Sequence, residues 1–248
     1  MKKKIIIAAV IFAVITAAAV IPAELFLHGV IGIDPPLEKY PVRGVDVSSY
    51  QGEVDWQTLA GQGIAFAWIK ATEGSSFTDR CFAYNYAEAQ KTTLCVGAYH
   101  FFSYDSSGET QAKNFIRTVA ETDNMLPPAV DIEFYGDYAG NPKSREEVTE
   151  ELQSLLNALE EHYHRKPVLY ATGRSYSMYL SGAYEDYDIW IRNMIAVPSF
   201  ADGREWRFWQ YTDKAQLDGY HGEEPCIDMN IFNGTPTEFY QYVSERTE

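Results

Sequence analysis

Two patterns of hydrophobic and polar positions alternate along the chain from about residue 43 onward. Short apolar runs, typical of buried strands, are separated by stretches in which apolar residues recur every three or four positions, as on one face of a helix. The predicted strands are residues 44–47, 65–71, 94–99, 129–133, 168–171, 187–191, 207–211 and 226–231. The predicted helices are residues 55–61, 80–90, 108–122, a long helix that starts near Ser144, and a short piece at 175–180.

The longest predicted helix has both a start signal and a core face. Ser144 and Glu147, three residues apart, match a capping box, in which each side chain accepts a hydrogen bond from the other residue's backbone N–H. Pro167 marks the end, because proline cannot continue a helix. Four leucines at helical spacing predict the buried stripe: Leu152, Leu155, Leu156 and Leu159.

Alternation of strands and helices predicts a parallel sheet, because parallel neighbours need a crossover connection that is usually a helix. About eight strands suggest that the sheet closes into a barrel. A standard eightfold βα barrel takes roughly 250 residues, whereas about 200 residues lie between Arg43 and Val243. The sequence therefore predicts an α/β fold, an irregular and abbreviated TIM-like βα barrel whose last strands lack covering helices.

The first 23 residues differ from the rest of the chain. Three lysines at 2–4 precede an apolar run at 5–23, which is interrupted only by Thr16 and Pro22. At roughly 19 residues the run is long enough to cross a membrane as an anchor, and the alanines at 17–19 also fit a cleavable signal peptide. An ordinary buried helix is a third interpretation. In the first two cases everything after about Glu24 is exported, so we expect an extracytoplasmic protein, either anchored or secreted.

Residues 24–42 separate this apolar run from the strand and helix pattern. They contain Pro35, Pro36 and Pro41, which predict a short, stiff linker that holds the domain away from the membrane. The globular domain is expected at residues 43–248. No internal repeat or low-complexity segment interrupts it.

Composition limits the possible partners. Hydrophobic residues make up 46% and charged residues 22% of the chain, as in an ordinary globular protein. The net charge of −15 argues against nucleic acid, because phosphate binding relies on clustered lysine and arginine. The 18 Tyr, 13 Phe and 5 Trp would suit sugar recognition, although core packing explains most aromatic rings.

Cysteine and histidine provide no framework for disulfides or metals. Cys81, Cys95 and Cys226 are odd in number, so they are either three buried thiols or one disulfide with a free thiol. His162 and His164 lie two positions apart, whereas a helical metal pair needs about four. We therefore expect no metal. We also expect no cofactor and a monomer.

Three apolar runs lead into acidic residues that carry the candidate chemistry. Asp46, Asp131 with Glu133, and Asp228 occur at the predicted C-terminal ends of strands, the face where βα barrels place their active sites. Strand side chains alternate with a period of two, so Asp131 and Glu133 point the same way. Like charges held close raise one pKa of the pair, as a general acid requires, and glycosidic bond cleavage is the commonest chemistry built in this way.

Six short motifs follow one another in order: Gly-Val-Asp-Val-Ser at 44–48, Tyr-Gln-Gly at 50–52, Ala-Thr-Glu-Gly at 71–74, Gly-Ala-Tyr-His-Phe at 97–101, Asp-Ile-Glu at 131–133 and Trp-Gln-Tyr at 209–211. Together they resemble glycoside hydrolase family 25, the Chalaropsis-type lysozymes or N-acetylmuramidases. The resemblance covers the whole exported domain. It implies cleavage of the β-1,4 bond between N-acetylmuramic acid and N-acetylglucosamine in peptidoglycan, by an irregular barrel of five βα units and three further strands.

The resemblance also implies roles for the four acids. Glu133 is expected to be the general acid, and Asp131 to raise the pKa of Glu133 and orient the substrate's N-acetyl group for attack on the anomeric carbon, with retention of configuration. In a competing scheme Asp46 or Asp131 activates water with inversion, across a carboxyl separation of roughly 6.5 to 9.5 Å. Asp46 and Asp228 are otherwise expected to bind substrate or to orient the Asp131 and Glu133 pair.

Residues at strand ends are expected to form the walls of a sugar groove. Gln210 could donate a hydrogen bond to a sugar hydroxyl, and Glu73 is either a groove residue or a loop-stabilising one. Phe101 and Trp190 fit a core position equally well. The candidate substrate-binding residues are Tyr99, Phe101, Tyr170, Trp190, Gln210 and Tyr211.

Two other functions fit the same residues. One is a wall-binding module that keeps the groove without turnover, and the other is an endo-N-acetylglucosaminidase, because Asp-x-Glu also occurs in other substrate-assisted glycosidases. The new reducing end distinguishes the three cases: muramic acid, glucosamine or none. In each case the expected partner is a peptidoglycan glycan strand, together with the membrane if the N-terminal helix is retained.

Overall fold

Nine strands, six α-helices and one 3-10 helix at Gly136–Ala139 organise residues 33–122 and 125–245, which are the residues that the computed structural model describes. The strands are β1 (Arg43–Val47), β2 (Phe66–Glu73), β3 (Phe77–Thr78), β4 (Cys95–Phe101), β5 (Ala129–Ile132), β6 (Val168–Thr172), β7 (Ile189–Arg192), β8 (Phe208–Ala215) and β9 (Ile227–Phe232). The helices are α1 (Trp56–Ala60), α2 (Phe82–Ala89), α3 (Gly108–Thr118), α4 (Arg145–Tyr163), α5 (Gly173–Ser175, continued by a π-helical turn at Tyr176–Leu180) and α6 (Pro236–Ser244).

Eight of these strands close into a barrel in the order β1, β2, β4, β5, β6, β7, β8, β9 and back to β1. The first seven run parallel to one another, whereas β9 is antiparallel to both β8 and β1. The short β3 pairs with β2 outside the ring. Helices cover the connections up to β7, and no helix lies between β7 and β9 in this described region. The predicted abbreviated barrel of five βα units and three further strands is confirmed.

Most predicted elements lie within two residues of their observed bounds, with a few differences. The helix expected at 108–122 ends at Thr118. Helix α6 was not predicted, although Thr235 and Glu238 form a capping box around a proline at the first helical position, a start signal that the sequence carries. Strand β3 has only two residues, too few to show any periodicity.

The long helix α4 begins as its sequence predicts. Ser144 and Glu147 make both hydrogen bonds of the capping box, and the four predicted leucines are fully buried. The helix ends at Tyr163, and the next residue, His164, has a left-handed backbone with φ of 50°. The end therefore comes before Pro167, because the conformation of His164 already breaks the helical repeat.

The predicted anchor or signal at 1–23 and most of the linker at 24–42 lie outside the described residues. Within the described residues, no helix combines the length and the apolar character needed to cross a lipid bilayer. The chain from Pro35 onward forms one compact unit.

Aromatic side chains fill the lower part of the barrel interior. Trp68 stacks on Trp190 with ring centroids 4.4 Å apart, and Phe208 meets Trp68 edge-on at 4.5 Å. Phe66 lies below Trp68 on the same strand face and is fully buried. Every second side chain of a strand points into the barrel. These inward side chains are apolar at the bottom of the barrel and polar at the top. This aromatic plug excludes water beneath the polar layer.

Gly97 makes room for the plug. A Cβ atom at this position would lie 2.4 Å from Trp68 Nε1 and 2.9 Å from Leu126 Cβ, distances shorter than van der Waals contact. Because β4 runs beside β2 in parallel register, with Gly97 paired to Trp68, any side chain here would displace the indole. The glycine is required by packing rather than by its backbone conformation.

Gly97→Ala is therefore expected to lower the free energy of unfolding by about 1–3 kcal/mol, because the added methyl group overpacks the barrel. The measurement is urea denaturation followed by tryptophan fluorescence. Gly173→Ala is the matched control, because a Cβ there meets no atom within 4 Å. Equal loss of stability in the two variants would contradict this account of the interior.

Candidate active site

A cavity of about 260 Å³ opens at the top of the barrel, where the inward side chains become polar. The residues that line it come from all eight barrel strands and from the loops around them. They are Asp46, Val47, Ser48, Tyr50, Gln51, Lys70, Tyr99, Phe101, Asp131, Glu133, Tyr170, Trp190, Gln210, Glu224 and Asp228. All four predicted acids therefore meet in one cavity.

The four acids reach this cavity by two routes. Asp46 near the end of β1, Asp131 near the end of β5 and Glu133 just after it follow the parallel strands. Asp228 is the second residue of β9, so its predicted position at the C-terminal end of a strand is wrong. Because β9 is antiparallel, its N-terminal end lies where the parallel strands finish, and Asp228 pairs directly with Asp46.

The amide of Gln210 connects Asp46 and Asp228. Its Nε2 donates to Oδ2 of both aspartates, each at 2.9 Å. The Tyr170 hydroxyl donates to Gln210 Oε1 at 2.8 Å, which fixes the orientation of the amide. The Gln210 amide group thus donates to both carboxyl groups, and its hydrogen bond to a sugar hydroxyl stays a prediction.

A second amide, Asn230, was not identified from the sequence. Its Nδ2 donates to Asp46 Oδ2 at 2.7 Å, and its Oδ1 accepts a hydrogen bond from Trp190 Nε1 at 2.7 Å. The available signal was strand alternation, because Asn230 lies two positions after Asp228 and shares its face. Trp190 is 1% exposed and provides both the floor of the cavity and the donor that orients Asn230.

Burial dominates the electrostatics of Asp46 and Asp228. Burial raises the pKa of Asp46, and hydrogen bonds from Asn230 and Gln210 oppose that rise. Burial, followed by the charge of Asp46, raises the pKa of Asp228. Two carboxyl groups in one low-dielectric site do not both ionise readily, so this pair retains a proton at neutral pH.

Asp131 and Glu133 form the other acidic pair. Burial, followed by the charge of Glu133, raises the pKa of Asp131 well above its ordinary range, and Asp131 Oδ1 is a buried atom without a hydrogen-bond partner. Burial is also the largest cause of the raised pKa of Glu133, and the charge of Arg192 partly offsets it. The sequence predicted repulsion between carboxylates as the cause, whereas loss of water contributes more.

The predicted aromatic residues divide into two groups. Tyr99, Phe101, Tyr170 and Trp190 line the cavity. Tyr211 does not line it: its ring centroid lies 6.0 Å from that of Trp209, and its hydroxyl accepts a hydrogen bond from Arg43 Nη1 at 3.3 Å. Tyr211 follows Gln210, and adjacent residues of a strand face opposite sides, so it packs on the outside of the barrel.

The sequence also missed several residues at the cavity wall. Lys70 lies on the inward face of β2, above Phe66 and Trp68, and strand alternation alone would have placed it there. Its Nζ lies 2.9 Å from Glu73 Oε2, so Glu73 holds a cavity residue without lining the cavity itself. Tyr50, Gln51 and Glu224 come from loops, which have no comparable periodicity.

Comparisons with known proteins agree on one family. Residues 45–220 match the sequence profile of Glycosyl hydrolases family 25. The chain is 34% identical over 209 residues to the uncharacterized protein YegX of Escherichia coli strain K12, covering 82% of this chain and 74% of YegX. It is 30% identical over 216 residues to Lysozyme M1 of Streptomyces globisporus, covering 81% and 70%.

A solved structure of a family 25 glycosyl hydrolase from Bacillus anthracis is similar over the same region. It superposes with a TM-score of 0.80 at 50% sequence identity, covering 84% of this chain and 96% of that protein.

The raised pKa of Asp228 yields a test by pH. The folded chain binds this proton more tightly than the unfolded chain, so the wild type loses stability as pH rises above the ordinary value of 3.8. Asp228→Asn cannot ionise, and its stability relative to the wild type is expected to grow by roughly 1 kcal/mol or more between pH 5 and pH 8. Urea denaturation at several pH values measures the difference.

Asp55→Asn is the control for that series. Asp55 caps α1 on the surface, and hydrogen bonds from Thr58 lower its pKa, so it is ionised in both states across this pH range. Asparagine is also a good cap residue. The same pH slope in the two variants would show that burial of Asp228 is not responsible.

Proposed function

The chain belongs to glycosyl hydrolase family 25 and is a glycoside hydrolase, and from this premise we propose that it is a peptidoglycan hydrolase of the muramidase type. The bond cleaved is the β-1,4 linkage between N-acetylmuramic acid and N-acetylglucosamine. Membership in the family and the similarity to Lysozyme M1 support this substrate. The four acids in one cavity support the reaction class.

The observation that carries the mechanism is the unpartnered oxygen of Asp131. A buried acceptor without a hydrogen bond is costly, and such atoms are few in folded proteins. Asp131 Oδ1 is one of these atoms, and Asp131 lines the cavity beside Glu133. The N–H of a substrate acetamido group is the donor that suits it. This hydrogen bond would orient the acetamido carbonyl oxygen towards the anomeric carbon.

Substrate binding then transfers the proton that Asp131 and Glu133 share to Glu133, the general acid. Burial raises the pKa of both carboxyl groups, that of Asp131 well above its ordinary range. A hydrogen bond from the acetamido N–H favours the charged form of Asp131 and lowers its pKa. The shared proton is then held by Glu133. The free pair therefore becomes a reactive acid and base only when the substrate occupies the cavity.

The reaction follows from this protonation state. Glu133 donates its proton to the leaving glycosidic oxygen while the acetamido carbonyl oxygen attacks the anomeric carbon and the glycosidic bond breaks. Asp131 stabilises the positive charge that develops on the resulting oxazolinium ring. Water then attacks the anomeric carbon and loses a proton to the Glu133 carboxylate, while the bond between that carbon and the acetamido oxygen breaks and the acetamido group is restored. Configuration at the anomeric carbon is retained.

Asp46 and Asp228 act on the shape and charge of the same cavity. Their carboxyl groups are held by the amides of Gln210 and Asn230. Since Tyr170 donates to Gln210, the wall beside Glu133 is part of the same network. We assign these two aspartates to orienting the reactive pair and the bound sugar rather than to proton transfer.

The N-terminal sequence supports a location outside the cytoplasm. Three lysines and an apolar run precede the catalytic domain, and a peptidoglycan substrate lies beyond the membrane. Both an uncleaved anchor and a cleaved signal are consistent with this location. Intact mass measurement of protein recovered from membranes and from medium distinguishes the full chain from one that begins near residue 23.

Glu133→Gln is expected to reduce turnover of purified peptidoglycan by at least about 100-fold, because the amide cannot donate an acidic proton. Mass spectrometry of borohydride-reduced products measures the new ends, and wild-type protein should release reduced muramic acid ends. Glu150→Gln, an exposed glutamate on α4, is the matched control and should keep wild-type turnover. Turnover by Glu133→Gln within tenfold of the wild type would refute the assignment.

The same digest separates the alternative functions. Reduced glucosamine ends would identify an endo-N-acetylglucosaminidase. A folded wild-type protein that binds walls and releases no ends would be a wall-binding module. Asp46 and Asp131 are buried, and Glu133 and Asp228 are half-buried. These acids argue against the second alternative, because desolvated like charges destabilise a fold and a binding module has no use for them.

Retention and dependence on the acetamido group form a further prediction. The first product detected by proton NMR should carry the β-configured reducing end, before mutarotation. De-N-acetylated glycan should be cleaved at least about 100-fold more slowly, because it lacks the internal nucleophile. Initial release of the α anomer would instead support water activation by Asp46 or Asp131.

A further inference from the structure

Lys70 is the sole basic side chain among the described residues that line the active-site cavity. Acidic side chains dominate the same wall, and the whole chain carries a net charge of −15. The acids that share the cavity with Lys70 are Asp46, Asp131, Glu133, Glu224 and Asp228. The charge of Arg192 also lowers the pKa of Glu133, but Arg192 is not among the residues that line the cavity, so Lys70 is the cation that a negatively charged substrate meets at this wall.

Two aromatic rings hold this ammonium group in place. Lys70 Nζ lies 4.8 Å from the ring centroid of Phe101 and 5.7 Å from that of Phe77, both within the range of cation–π attraction. Glu73 provides the counter-ion at 2.9 Å. The Lys70 side chain is 17% exposed and that of Glu73 is 39% exposed, so the carboxylate is the partner that can move into water. The cation stays at the wall while its counter-ion is exchangeable.

The positive charge of Lys70 disfavours the protonated carboxyl group that acid catalysis needs. Lys70 lowers the pKa of both Asp131 and Glu133, although burial outweighs its effect. A glycosidase needs a protonated acid, and a nearby cation favours the ionised one. Acid catalysis therefore gives no reason for a lysine at this position, whereas recognition of an anionic substrate does.

We propose that Lys70 recognises a carboxylate carried by the muramic acid unit of the substrate, taking it in exchange for Glu73. This proposal rests on the proposed function and specifies the substrate class further. The carboxylate is attached through the 3-O-lactyl ether. It is either the lactyl carboxylate itself, as in peptide-free glycan, or a carboxylate of the stem peptide. An aromatic pair around the ammonium keeps it desolvated and so strengthens this ion pair.

The test compares binding of three tetrasaccharides by calorimetry, using the full chain in detergent with Glu133→Gln to prevent turnover. The first is neutral chitotetraose, the second is peptide-free glycan with lactyl carboxylates, and the third carries stem peptides. Lys70→Met should reduce the affinity ratio of a carboxylate ligand over chitotetraose by about tenfold. Lys70→Arg keeps the charge and should preserve most of that ratio.

Glu73→Gln should change the same ratio in the opposite direction. Removing the competing carboxylate frees the ammonium, so affinity for the carboxylate ligand should rise about threefold. A Lys70 and Glu73 pair that only stabilises the loop would give no such increase. Thermal melting of each variant verifies that the protein is folded.

The outcomes distinguish the lactyl carboxylate from a stem-peptide carboxylate. They also test the role of Lys70 separately from the proposed function. A loss confined to peptide-free glycan identifies the lactyl carboxylate, and a loss confined to peptide-bearing glycan identifies the stem peptide. An unchanged ratio in Lys70→Met for both ligands overturns this inference. Wild-type digestion tests the proposed function separately, because binding ratios are measured without turnover. Muramic acid ends together with an unchanged ratio would refute the role of Lys70 alone.

Discussion

Burial of four carboxyl groups above an aromatic plug is the constraint on which the site depends. For Asp46, Asp131, Glu133 and Asp228, loss of water is the largest cause of the raised pKa. The stacked Trp68 and Trp190 rings are buried and fill the barrel beneath the acids. The chemistry therefore depends on packing in the layer below the acids, because that layer sets the protonation of the layer above.

The two acidic pairs differ in how their hydrogen bonds are satisfied. Asp46 accepts from two amides and Asp228 from one of them, so this pair is held in a single arrangement. Asp131 keeps a buried oxygen without a partner. A satisfied network is rigid, whereas an unsatisfied acceptor gains energy when a ligand provides the donor. The first pair positions the site, and the second pair provides its reactivity.

The antiparallel closure of the barrel by β9 brings Asp228 beside Asp46, on the side of the barrel away from β5, the strand that leads to Asp131 and Glu133. Strand β9 enters the ring in reverse, and its first residues, including Asp228 and Asn230, lie beside the end of β1 and the acid of Asp46. The loops at this rim are also joined: Glu224 N donates to Tyr50 O at 3.1 Å, and Gln51 Nε2 donates to Cys226 O at 3.1 Å. No helix lies between β7 and β9 in the described chain, and hydrogen bonds between loops join this rim.

The sequence by itself determined the alternation of strands and helices, the capped helix at Ser144 and the four acids, because periodicity and capping are local properties. It did not determine the reversed direction of β9, the hydrogen bonds of the Gln210 and Asn230 amide groups, or the outward position of Tyr211. Strand direction, the partners of a side chain and its solvation depend on residues distant in sequence, such as Asp46 and Asn230. Burial, rather than carboxylate spacing, decided the pKa of Glu133, and burial exists only once the barrel has closed.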